Sequence, residues 1–212
     1  MFSFKFHKIA VSLVVLAVVT VGTAAVARAD SVVINTPNSG LSGTPGPYAT
    51  VTYVFNSTTK AFDVSVVMNA GFQAFGEGNG NSGIFGFNIV GSTAGLSVTN
   101  LSPAALTANL GGGQMDGFGS FDVTLSCCNP ANAISSFSFS VNRTGGFTQA
   151  SDLFEASASG AHFAVHIAPT NGNPTGFAGD TGTPNIPEPT SMVLLGTGLI
   201  GVATGLRRRF KH

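Results

Sequence analysis

The chain contains no tryptophan and only two tyrosines, Tyr48 and Tyr53. Aromatic platforms for stacking on sugars are scarce, and an interior has to be built from Phe and Val. Cations are equally scarce away from the ends. Between residues 30 and 186 they are Lys60 and Arg143 alone, against eight carboxylates, a net charge of −6. A surface so short of positive charge cannot neutralise phosphates, which excludes a nucleic-acid partner. The catalytic signatures G-x-S-x-G and H-E-x-x-H are absent, as is a Cys-His signature, so the expectation is a non-enzyme with no cofactor. Paired carboxylates of a glycosidase stay open, because their spacing is spatial rather than sequential. No internal repeat occurs, which disfavours propellers and solenoids.

The two ends carry what the middle lacks. Lys5 and Lys8 precede an apolar run over residues 9–21, and Ala27-Arg28-Ala29 follows. A positive start, an apolar middle and a small-x-small end make a secretory signal peptide over residues 1–29, cleaved before Asp30. No Arg-Arg pair precedes the apolar run, so the Sec translocon and signal peptidase are the expected partners rather than twin-arginine export. The last residues read Pro187-Glu188-Pro189-Thr190, an apolar stretch 191–206, then Arg207-Arg208-Arg209-Phe210-Lys211-His212. The prolines resist helix continuation and favour an extended segment. As a helix the apolar stretch rises about 24 Å, short of a hydrocarbon core of about 30 Å, a gap that bilayer thinning and arginine snorkelling cover. By the positive-inside rule Arg207, Arg208, Arg209 and Lys211 stay cytoplasmic as a basic stop-transfer end. That leaves the middle of the chain outside the inner membrane.

Residues 187–212 resemble a PEP-CTERM sorting signal, a tail also catalogued as the ice-binding protein C-terminal domain. The resemblance implies that Pro187, Glu188 and Pro189 form the motif read by exosortase, a membrane-embedded, transpeptidase-like protease of exopolysaccharide-producing bacteria. It further implies transient anchoring in the inner membrane, processing near the motif, then release or attachment at the cell surface. Exopolysaccharide or biofilm association is the corresponding expectation. Ice binding is not implied, since the tail is carried by many unrelated cores.

Between the two signals lie 157 residues, enough for one domain that buries about two-thirds of its unfolded surface. Residues 48–56 and 60–69 alternate with period two across a turn at 56–59, which predicts a hairpin. Residues 32–34, 84–90, 95–100, 117–126, 134–142, 154–157 and 161–168 continue the strand pattern, and residues 103–110 read as a helical turn. Short strands among Gly, Asn and Ser turns predict a single antiparallel β-sandwich, jelly-roll or immunoglobulin-like, over residues 30–168. It is flanked by the signal helix and the C-terminal transmembrane helix. Residues 169–186, rich in Pro, Gly and Thr, read as a linker.

Four clusters hold residue types that can carry chemistry. Residues 78–83 spell G-x-G-x-x-G, but a strand rather than a helix is expected next, so a loop is the better reading than a dinucleotide site. His162 and His166 share one strand face with Ala164, expected to be polar and solvent-facing. Asp152 or Glu155 would have to complete any metal site there. Glu77, Asn79, Asn81, Asp116 and Asp180 lie in Gly-rich loops of a kind that can hold calcium, or are simply solvated. Adjacent Cys127 and Cys128 admit a vicinal disulfide, free thiols or intermolecular bridges, with export favouring oxidation.

Overall fold

The computed structural model describes residues 29–76, 83–149 and 153–180; the expected signal peptide over 1–29, apart from Ala29, and the expected sorting tail lie outside these residues. Among the described residues every long element is a strand, and no helix is long and apolar enough to cross a membrane.

Alternating sequences build the first sheet, in the order β1-β3-β4-β12-β7, all neighbours antiparallel. Its strands are β1 (Ala29–Ile34), β3 (Ala49–Asn56), β4 (Ala61–Met68), β7 (Leu96–Ser102) and β12 (Ser136–Arg143). The hairpin β3–β4 turns where Asn56 accepts the backbone N–H groups of Thr58 and Thr59 with its side chain. Lys60 there adopts a left-handed conformation, φ 54°. On β12, Phe137, Phe139 and Val141 point inward while Ser136 and Ser138 point out, as the alternation predicts.

The second sheet runs β2-β15-β14-β6-β11-β8. It comprises β2 (Thr36–Pro37), β6 (Phe85–Ile89), β8 (Thr107–Asn109), β11 (Val123–Ser126), β14 (Phe163–Pro169) and β15 (Gly176–Gly179). Two short strands extend it, β5 (Phe72–Ala74) against β14 and β13 (Phe154–Glu155) against β6. The two sheets face one another across phenylalanines. Phe85 lies 5.5 Å from Phe137, and Phe87 stacks on Phe139 at 5.6 Å. Phe154 meets Phe163 edge-on at 4.5 Å.

The outer face of the second sheet is also covered. A separate hairpin, β9 (Gly113–Met115) and β10 (Gly119–Phe121), carries Met115, Phe118 and Phe121 into a second apolar cluster with Ala161, Ala164 and Phe177. Registered small residues, Gly86–Ala164–Gly179, form the floor beneath it. A Cβ on Gly179 would lie 2.6 Å from the Phe118 ring, so glycine is needed for this close approach.

Several expectations are corrected. Residues 103–110 form no helix; β8 there pairs with β11. The stretch 117–126 divides into β10 and β11, because β10 belongs to the covering hairpin. The strand face expected to be polar and solvent-facing at His162 and His166 is not open at His166, which is 4% exposed between the Phe75 and Phe177 rings, while the hairpin covers Ala164. Finally, the fold does not stop at residue 168. β15 lies inside the stretch read as linker and pairs with β14 on one edge and β2 on the other.

Tyr48 packs against Phe72 at 5.1 Å, and its hydroxyl donates to the Thr44 carbonyl. Burial disfavours the phenolate and raises the Tyr48 pKa above its usual 10.0. The protonated form is therefore preferred by the folded state. The resulting stabilisation is full below pH 10 and is lost as pH rises through the raised value. Urea titrations from pH 8 to 11 are expected to show this alkaline loss in the wild type. In Tyr48→Phe it should be diminished, at a cost near neutrality of about 1–2 kcal/mol for the lost hydrogen bond.

Candidate functional site

With the second sheet covered, the open face of the sandwich is the outer face of the first sheet. Pairing register aligns a row of hydroxyls across all five of its strands: Ser31, Thr52, Ser65, Ser138 and Ser102. Neighbouring strands lie about 4.8 Å apart, so the row is a hydroxyl ladder at that spacing. A parallel row reads Val33–Thr50–Val67–Ser136, in which Val33 and Val67 are 46% and 50% exposed. Two hollows of about 450 and 400 Å³ share Ser65 and Ser138 in their linings, and so adjoin over β4 and β12.

The face carries an ordered polar chain as well. Ser140 donates to Asp63 Oδ1 at 2.6 Å, and Asn100 Nδ2 donates to Ser140 Oγ at 3.1 Å. Asn100 reaches this side through a register shift between β12 and β7, with its own backbone left-handed at φ 53°. Bulges of this kind re-aim one side chain without ending the ladder. Sequence reading found the alternation on β12 but not the cross-strand row, which exists only once the register is set.

The residues singled out for chemistry are dispersed. His166 is sandwiched between Phe75 and Phe177, each ring 4.3 Å away. His162 Nδ1 lies 2.9 Å from Asp180 Oδ2. The Asp180 carboxylate also accepts the backbone N–H of His162 at 2.8 Å and of Phe163 at 2.7 Å. Asp116 accepts from Asn38 at 3.0 Å, and Asn38 Oδ1 in turn accepts from Gly40 and Phe177. Asp116 and Asp180 therefore serve separate clamps. No group of three or more potential metal ligands is assembled among the described residues. Glu77, Asn79, Asn81 and Asp152 lie outside those residues, and Glu155 sits in β13 opposite Asn88. After the glycine-rich stretch the chain enters strand β6, not the helix that a dinucleotide site needs.

Cys127 and Cys128 are joined as a vicinal disulfide, S–S 1.94 Å, directly after β11. Cys128 is left-handed at φ 59°, and the Cys127 and Cys128 carbonyls both accept the Gly76 N–H, at 3.1 and 2.8 Å. Of the expected leader-cleavage residues, Ala27 lies outside the described residues. Ala29 and Asp30 open the edge strand β1, paired with Val54 and Tyr53. Pro187, Glu188, Pro189 and the basic residues Arg207, Arg208, Arg209 and Lys211 also lie outside.

Fold and open face together define a small all-β domain, filled with phenylalanine and joined at its C-terminal side to a short tail. Residues 185–209 of that tail match the PEP-CTERM protein-sorting motif. The chain thus carries a PEP-CTERM sorting motif, which indicates an exported protein targeted to exosortase, with membrane-associated processing. No curated protein and no solved structure matches the chain.

Both cysteines are engaged in the bridge. Unreduced protein unfolded in denaturant is therefore expected to take up no thiol alkylating label, and reduced protein two, as read by intact mass.

Proposed function

We propose that this protein is a non-catalytic surface or matrix component, exported through the Sec route, freed of its leader before Asp30, and held in the inner membrane by residues 191–206 until exosortase processing. It then passes to the cell surface or medium and associates there with exopolysaccharide. The observation that carries the reading is the sorting motif on a domain whose interior is filled by its own aromatic side chains. The bonding of the carboxylates supports a non-catalytic role: Asp63, Asp116, Asp122 and Asp180 are each engaged by a neighbouring residue. We read the scaffold as jelly-roll or immunoglobulin-like, in keeping with a chain that crosses repeatedly between two antiparallel sheets. Intact-mass measurement of protein from the medium of the native host should find the tail beyond about Pro189 removed. Secreted protein that still carries residues up to His212 would refute the reading.

A second reading, a carbohydrate-binding module, is favoured by the hydroxyl ladder. Ser31, Thr52, Ser65, Ser138 and Ser102 offer donors and acceptors in one row, and the only carboxylate tied into that face is Asp63 among the described residues with bonds there. Such a face suits a neutral polyol strand held by hydrogen bonds rather than by stacking. Ser65→Val with Ser138→Val removes two central hydroxyls from half-buried positions. The pair is expected to weaken retention on the host's polysaccharide about tenfold, the worth of one to two net hydrogen bonds. Unchanged retention on affinity electrophoresis would end this reading.

A further inference from the structure

A second polar surface lies at the open end of the covering hairpin. A hollow of about 780 Å³, larger than either hollow on the first sheet and sharing no lining residue with them, is bounded there. Its walls include the glycine run 111–113, Gln114 and Ser120 of the hairpin, Thr93, and Asp122. That volume is in the range of small-molecule sites.

The lining is held in place by residues outside it. Asn109 clamps the glycine turn with both ends of its amide: Oδ1 accepts the Gly111 N–H at 2.9 Å, and Nδ2 donates to the Gly112 carbonyl at 2.7 Å. Gly112 is left-handed at φ 74°, and a Cβ there would collide with the Phe121 carbonyl oxygen, so this wall has to be bare backbone. Asn88 Oδ1 accepts the Asp122 N–H at 2.7 Å, and Asp122 Oδ2 accepts the Ile89 N–H at 3.1 Å. The carboxylate is thus fixed through one oxygen, and Oδ1 makes no hydrogen bond among the described residues. Phe121 turns its ring into the apolar cluster beneath and is 3% exposed, so it offers no stacking platform.

This chemistry selects a class of ligand. Asp122 is the one charged residue of the lining, and residues 30–186 carry a net charge of −6, so an anion is repelled. A calcium ion takes about six to eight oxygen ligands, and no group of three or more potential metal ligands is assembled among the described residues. A neutral molecule that donates to a carboxylate and also exchanges hydrogen bonds with an amide and hydroxyls suits the lining, and a sugar does both. A hydroxyl donating to Asp122 Oδ1 would make a charge-assisted bond, about twice as strong as a neutral one. Gln114, Ser120 and Thr93 supply donors and acceptors for the neighbouring hydroxyls. Because the walls are already fixed, binding requires little further ordering.

We propose that this hollow is a saccharide site, with Asp122 as the acceptor anchor and Gln114 and Ser120 as the outer contacts for a neutral sugar unit of a polysaccharide. It rests on the exopolysaccharide association proposed above, and locates a contact for it apart from the hydroxyl ladder.

The test is affinity electrophoresis of the full-length protein in mild detergent, through gels cast with the host's neutral polysaccharide fraction or with the acidic fraction that anion exchange removes. Wild-type protein is expected to be retarded by the neutral fraction and not by the acidic one, with or without EDTA. Asp122→Asn keeps an oxygen for the Ile89 N–H but sets an amide donor where the sugar needs an acceptor, and should weaken retention about tenfold. Gln114→Ala with Ser120→Ala, both exposed on the hairpin, should weaken it about fivefold. That pair decides the matter if thermal unfolding shows Asp122→Asn to be misfolded. Full retention of a folded Asp122→Asn variant, or of the pair if that variant misfolds, overturns the site and leaves the association standing. Retention that EDTA abolishes, or that only the acidic fraction gives, overturns the neutral-sugar assignment. A wild type retarded by neither fraction overturns the association itself, and this site with it.

Discussion

The structure depends on one packing arrangement, the interlock of phenylalanines between the two sheets. Phe85 and Phe87 of β6 reach across to Phe137 and Phe139 of β12, while Phe163 and Phe154 close the same layer from the side. Because strand side chains alternate, a slip of one residue in β6 or β12 would turn its rings out to the other face. The rings therefore fix register as well as supplying burial. Register in turn sets everything on the outer faces, including the alignment of Ser31, Thr52, Ser65, Ser138 and Ser102.

The two outer faces have opposite fates for a steric reason. On the second sheet, Gly86, Ala164 and Gly179 leave a floor with almost no side chain, and Met115, Phe118 and Phe121 drop onto it. A Cβ on Gly86 would come within 2.9 Å of Met115, so the cover and the floor are mutually dependent. On the first sheet, Ser and Thr side chains line the outer face, and among the described residues no apolar hairpin is laid over them. The same domain thus buries one sheet on both sides and offers the other to its surroundings.

Strand identity was legible wherever alternation was clean. β3, β4, β12 and β14 fall within a residue or two of where period-two patterns place them, because each has at least one face buried in the common core. The misses have a shared cause. β2, β5, β8, β9 and β15 are two to four residues long, and all but β5 contain Gly, Pro or Asn, so they carry too few side chains to show a period. They are strands because a neighbour offers them an edge. His166 lies in β14 and His162 immediately before it, and the polar, solvent-facing strand face expected for the pair is instead buried at His166. Nothing local to β14 signals that a glycine-rich hairpin some fifty residues earlier will cover it.

By itself the sequence determined that the protein carries a sorting motif and what kind of interior it has. Sorting motifs are read as linear segments, and a chain with fourteen phenylalanines and no tryptophan between residues 30 and 186 has to build its core largely from phenylalanine. Tertiary structure alone decided which sheet face stays open, which hydroxyls line up, and where the fold ends. Those depend on cross-strand register and on contacts between distant segments, such as the Asp180 carboxylate with the His162 and Phe163 backbone. No local pattern of residue types encodes them.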